Sequence, residues 1–163
     1  MLTVLQEQLA QAHGLAIAVA AATREVEERT TDGALLRALG RLRADADETR
    51  ARCLEAEAAL GTELAEELLA HANTASERAA GLAGAWFSAG TGPLAAWTFL
   101  AMGEAAEVTA WSALRALSTR AGDRPVAELA EWALGVQQGH LRAALAGATR
   151  LAEGANPAAP RWG

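Results

Sequence analysis

Four stretches of this chain repeat apolar residues at helical spacing, and the connections between them are unequal. Thr30 to Gly33 is a short polar turn between the first two, and Gly122 with Asp123 is a short turn between the last two. The middle connection, from about Ala72 to Gly92, is long and irregular. A short link makes consecutive helices antiparallel neighbours, whereas a long one lets the chain cross back along the bundle. The pattern therefore predicts two antiparallel hairpins joined by one long crossover, and excludes a simple up-and-down bundle.

The first predicted helix runs from about Leu2 to Glu28 on Leu5, Leu9, Ala12, Ala16, Val19 and Val26, with Thr23 in the same phase. The second starts near Gly33, capped by Asp32, and reaches at least Leu60 through Leu35, Leu39, Leu42, Ala46, Thr49 and Cys53. Gly61 interrupts or kinks it, and the helical pattern resumes through Leu64, Leu68 and Leu69 to about His71. Asn73 and Thr74 read as punctuation, Ala79 to Phe87 as a short helix bearing Trp86 and Phe87, and Ser88 to Gly92 as a breaker. Pro93 then suits the first turn of a helix reaching about Arg120 and stopped by Gly122. Asp123 caps the last helix, which carries Pro125 in its first turn and runs to Glu153. The expectation is a single helical domain over residues 1–153 and a loose tail over 154–163, which holds Pro157 and Pro160.

Composition agrees with an all-α reading. The chain has 163 residues, enough for one good core, and is 52% hydrophobic with only 4% aromatic. Ala, Leu, Glu and Arg favour helix because they lose little rotamer freedom there, and no alternating strand pattern occurs. The five Trp are the large packing units. A net charge of −6 argues against a general nucleic-acid binder, which needs a basic face. Arg24, Arg37, Arg41, Arg43, Arg50 and Arg52 are interspersed with acids and read as a solvated helix surface. Cys53 is alone, so no intramolecular disulfide can form, and its phase makes it a small core residue. Gly14 to Ala22 resembles the apolar part of a signal peptide but lacks a basic segment before it. No segment approaches the roughly 18 apolar residues of a membrane span, and a soluble cytoplasmic protein is expected.

The chemistry-bearing residues sit where a core should be purely apolar. Trp97, Leu100, Val108, Trp111 and Leu114 define one helix face, and Glu104 and Glu107 lie within it at i, i+3. Val126, Leu129, Ala133, Val136, Ala144 and Leu151 define the face of the next helix, and Gln137 and His140 lie within that one, again at i, i+3. Buried charge is costly unless something inside compensates it. A residue-x-x-His pair facing two carboxylates can present ligands to a metal between helices, although an amide such as Gln137 is a weak ligand. The second helix offers only Ala46 and Thr49 at mid-stripe; Asp45 flanks its face, Asp47 and Glu48 point away, and His13 flanks the face of the first helix, from which it can reach inward. This donor set suffices for one ion and falls short of the six or so strong ligands of a two-metal centre. No nucleophile constellation surrounds Ser88, Ser112 or Ser118. The Gly-Thr-Gly before Pro93 lacks the strand and Lys of a phosphate-binding loop.

The stretch Gly103 to Leu141, GEAAEVTAWSALRALSTRAGDRPVAELAEWALGVQQGHL, resembles the ferritin-like superfamily, and within it the bacterial stress-associated proteins of the YciF type. Glu104, Glu107, Trp111, Leu114, Gly122 and Gln137 fall on the matching positions. The resemblance covers about a quarter of the chain. It implies a ferritin-like four-helix bundle with a short extra helix in the crossover, and a di-iron site reduced to a remnant. The expected role is then a non-catalytic scaffold or binding module, homo-oligomeric (a dimer), with an unidentified protein partner and with Trp86, Phe87 and Trp162 as interface anchors. The alternative is a metal-binding protein of iron or oxidative-stress handling, in which Glu104, Glu107 and His140 hold iron or another divalent ion, helped by Gln137 and His13. A weaker third idea is a three-histidine site of His13, His71 and His140, as in DinB-like bundles.

Overall fold

The computed structural model describes residues 1–88 and 90–158. Among the described residues there are five helices: α1 (Val4–Glu28), α2 (Gly33–Ala58), α3 (Thr62–Trp86), α4 (Pro93–Ala121) and α5 (Arg124–Glu153). No strand occurs among the described residues. The protein is all-α, as the composition and periodicity predict.

Local chemistry accounts for the helix ends. Thr3 caps α1 in a capping box with Gln6. The Asp32 carboxylate accepts from the backbone N–H groups of Ala34 and Leu35, and Asp123 does the same for Val126. Pro93 occupies the first turn of α4, and Gly122 ends that helix in the left-handed region at φ 70°. Gly61, at φ 100°, reverses the chain between α2 and α3.

The crossover departs from expectation. Gly61 interrupts the helical pattern with a full chain reversal, but in place of a break at Asn73–Thr74 and a short helix, α3 is one continuous helix of 25 residues. Thr74 is accommodated within it, its hydroxyl donating to the Ala70 carbonyl one turn back. Leu68, Ala72 and Ala75 give α3 its own buried stripe.

Cross-helix pairs set the arrangement. α1 and α2 are antiparallel, since Glu27 meets Arg43 and His13 meets Glu57. α4 and α5 are antiparallel through Glu104–His140 and Arg115–Glu131. α1 runs antiparallel to α4, with Gln8 bonded to Ala110 and Thr30 to Trp97. α2 runs antiparallel to α5, with Asp32 on Arg150 and Asp45 on His140. These four helices close a ring in the order α1, α2, α5, α4. α3 lies outside it, parallel to α1, with the chain's amino terminus on Glu67 and Gly14 against Ala72 and Ala75.

Two apolar clusters fill the ring. One gathers Leu9, Cys53, Trp111, Leu114, Leu129 and Leu134; the other gathers Val26, Leu39, Leu42, Trp97 and Leu100. Burying an aliphatic side chain contributes roughly 1.5–3 kcal/mol each, so these clusters carry the fold. The polar residues predicted to be functional fall between the two. No described helix is long and apolar enough to cross a membrane.

Candidate functional site

Each helix of the ring sends polar groups into the gap between the apolar clusters. From α4 come Glu104 and Glu107, 1% and 2% exposed; from α5 come Gln137 and His140; from α1 comes His13. α2 supplies Thr49, Cys53 and Glu57, all buried, and Asp45 from the rim. The i, i+3 spacing on α4 and on α5 brings both members of each pair inward, as the sequence predicts.

His140 is the centre of one network. Its Nε2 lies 3.0 Å from Asp45 Oδ2 on α2, and its Nδ1 lies 3.5 Å from Glu104 Oε2 on α4. Burial, the largest single influence, works against the imidazolium. Hydrogen bonding and charge from Glu104 and then Asp45 outweigh it and hold the His140 pKa above its ordinary value. Both ring nitrogens face carboxylates, an arrangement that favours the doubly protonated ring, and in that form the imidazole has no lone pair to offer a metal.

The neighbouring carboxylates are pushed the other way. Burial raises the Glu104 pKa, and His140 partly opposes it. Glu107 is raised well above the ordinary range, first by burial and then by the charge of Glu104, although the Trp111 indole Nε1–H donates to its Oε2 at 3.4 Å. Glu107 therefore holds a proton more readily than any exposed carboxylate would. The register between α4 and α5 sets Gln137 level with Glu107.

The second network lies between α1 and α2. His13 Nδ1 sits 2.8 Å from Glu57 Oε1, and both side chains are almost fully buried. The sequence places His13 on a flank within inward reach, and the structure turns it inward onto Glu57, a partner the sequence reading missed. The signal was present: Glu57 follows Cys53 by four residues and so continues the same buried stripe. Burial and the charges of Glu57 and Glu107 raise the Cys53 thiol pKa, so this thiol is a core residue and no nucleophile.

Among the described residues three buried side-chain atoms have no hydrogen-bond partner: His13 Nε2, Gln137 Oε1 and Glu104 Oε2, whose 3.5 Å approach to His140 Nδ1 is an ion-pair contact only. They belong to α1, α4 and α5. Among the described residues no group of three or more His, Cys, Asp or Glu side chains is arranged to hold one metal ion. Glu104, Glu107, His140 and Gln137 come together, but His13 turns toward Glu57. His71 is exposed on α3, beside Glu7, Gln11 and Arg78, so the three-histidine set is not assembled. The donor set does not fit a two-metal centre: His140 Nε2 is bonded to Asp45 while its Nδ1 faces Glu104, Gln137 is neutral, and Ala46 and Thr49 stand where α2 would supply ligands.

Of the aromatic residues singled out as interface anchors, Trp86 is 40% exposed, while Phe87 is half-buried, edge-on to Phe99 and under the Arg29 guanidinium. Trp162 lies outside the described residues. The chain matches no protein-family model, no curated protein and no solved structure.

Proposed function

We propose that this protein is a ferritin-like helical bundle in which an internal ion-pair network takes the place of a di-metal centre, and that it works as a non-catalytic scaffold or binding module. One observation carries the reading: the imidazole of His140 is held between Asp45 and Glu104, so three helices are joined by the residue best suited to be a ligand. The ring of four helices with a long crossover on its outside supports the ferritin-like assignment. Residues of ligand type in a bundle interior, neutralised by one another, are what such a site leaves when metal is no longer used.

A single divalent ion, iron first among them, is the second reading. The unpartnered acceptors His13 Nε2, Glu104 Oε2 and Gln137 Oε1 favour it, because a buried acceptor without a donor costs about 1–3 kcal/mol. Elemental mass spectrometry after incubation with iron, manganese and zinc separates the two. The scaffold reading expects wild type and Glu104→Ala to be equally metal-free. About one equivalent of metal per chain in wild type, lost in the variant, would replace it with the metal-binding reading.

A further inference from the structure

The outer surface of α4 differs from the rest of the molecule. Between Arg78 on α3 and Arg115 on α4 the only charged residues are Glu104 and Glu107, and both are buried. No exposed charge therefore occurs over the last two turns of α3, after Arg78, and most of α4. α2, by contrast, presents exposed Arg41, Asp47, Glu48, Arg50, Arg52 and Glu55. Along the outer side of α4, Ala95, Phe99, Met102, Ala106, Thr109, Ala113 and Ala116 recur at alternating steps of four and three residues, and none of them is buried. Met102 is 54% exposed. Trp86 stands at one margin of the strip: its Nε1–H donates to the Ala95 carbonyl, and its ring lies 5.5 Å from that of Phe99. Leu82, one turn earlier on α3, is 69% exposed. Within the chain α4 packs mainly on α1 and α5, and this outer side is left uncovered.

We infer that this face is a homodimer interface in which α4 of one copy packs antiparallel against α4 of a second copy about a two-fold axis. An isologous interface sets a surface patch against itself, so any charge near the axis meets its own like. In a chain of net charge −6, the uncharged strip on α4 can meet its own copy without opposing like charges. The alternating four-and-three repeat is the spacing that keeps one helix seam on another, and Ala and Thr at the seam allow axes to approach to about 8 Å.

The size agrees. From Leu94 to Ala116 the helix is about 34 Å long, and a strip one helix wide, extended by Leu82 and Trp86, offers about 600 Å² per copy. The total of about 1,200 Å² reaches the lower limit of a stable specific interface. A lipid surface is a poorer match, because membrane-lying helices combine bulky apolar side chains with flanking Lys and Arg, and this strip is mostly Ala and Thr in an acidic protein. The inference concerns the outside of α4 and is independent of what the bundle interior holds.

Sedimentation equilibrium of the full chain tests it, using Ala106→Glu and Met102→Glu. Both positions are exposed, so the fold is kept, and an unchanged far-ultraviolet circular dichroism spectrum checks this. Wild type is expected at twice the chain mass and both variants at the single mass. Mild oxidation of Ala106→Cys should give a cross-linked dimer, whereas Glu48→Cys on the charged face of α2 should not, and buried Cys53 stays silent in both. A monomeric wild type overturns the proposal, and so does a dimer that survives Ala106→Glu. A monomer that instead floats with phosphatidylserine vesicles would overturn it in favour of a membrane face.

Discussion

Gly147 on α5 lies directly against the six-membered ring of Trp97 on α4. A Cβ at Gly147 would stand 2.9 Å from Trp97 Cδ2 and closer still to Cε3 and Cζ3. The indole has no room to withdraw: it is fully buried, and its Nε1–H donates to Thr30 Oγ1 at 3.0 Å. Thr30 in turn donates to the Val26 carbonyl, which fixes the hydroxyl that the indole bonds, so moving the ring would break its hydrogen bond. Gly147→Ala gains about 1 kcal/mol of helix propensity but forces overpacking that costs about 1–3 kcal/mol, and the clash with a fixed ring decides the sign. We expect net destabilisation and a melting temperature lower by a few degrees. Gly135→Ala on the same helix is the comparison, since a Cβ there meets nothing within 4 Å; it should raise the melting temperature. Equal effects at the two positions would refute the account.

The pair His13–Glu57 joins α1 to α2 where neither partner reaches water, with side-chain exposures of 0% and 2%. Removing one partner leaves the other buried without its hydrogen bond, which costs about 1–3 kcal/mol, whereas replacing both by apolar residues of similar shape can be nearly neutral. His13→Leu and Glu57→Leu should each destabilise strongly in urea melts, and the double variant should be more stable than either. A double variant as weak as the sum of the singles would show that the two side chains act independently.

The same pair shows what could be read from sequence and what could not. Helix existence, the caps at Asp32 and Asp123, the stop at Gly122 and the inward phase of Glu104, Glu107, Gln137 and His140 all follow from local chemistry and period. Glu57 was hidden because a stripe is drawn through apolar residues, and a buried acid is recognised only once His13 is seen beside it. Asp45 flanks its face on the helical wheel, yet reaches His140 because α5 packs along that edge. The continuity of α3 was obscured for a different reason. Asn73, Thr74 and Ser76 disfavour helix locally, but Leu68, Ala72 and Ala75 bury against α1 and hold the helix through them. Tertiary packing overrides propensity there, and no local signal reports the partner.

Cys53 offers a probe of opening motions. It is fully buried, and burial together with Glu57 and Glu107 raises its thiol pKa, so almost no thiolate exists in the native state at neutral pH. A thiol reagent should therefore label the native protein only as fast as α2 separates from the ring, and labelling should accelerate in step with destabilisation by Glu57→Leu. Prompt labelling of the native wild type would mean that this part of the core is open to solvent.

The Asp45–His140–Glu104 network predicts a pH dependence with a definite sign. His140 binds its proton more tightly folded than unfolded, where an imidazole titrates near 6.5. A group whose pKa is raised on folding adds stability that is complete below the unfolded value and is lost as pH rises through the folded value. Glu104 and Glu107 are also raised, so their contribution is complete below the ordinary carboxylate value of 4.5 and declines as pH rises above it. Both therefore act in one direction, against stability at higher pH. Among the groups facing the imidazole, Asp45 is half-exposed and Glu104 is buried, so Glu104 sets most of the shift. Nuclear magnetic resonance titration should place His140 above 6.5, with a modest fall in Asp45→Asn and a larger one in Glu104→Gln. Urea midpoints of wild type should decline from pH 6.5 upward, and His140→Gln should flatten that decline. A His140 that titrates below 6.5 in wild type would mean that burial prevails over the two carboxylates, and that the imidazole is neutral with a free nitrogen in the interior.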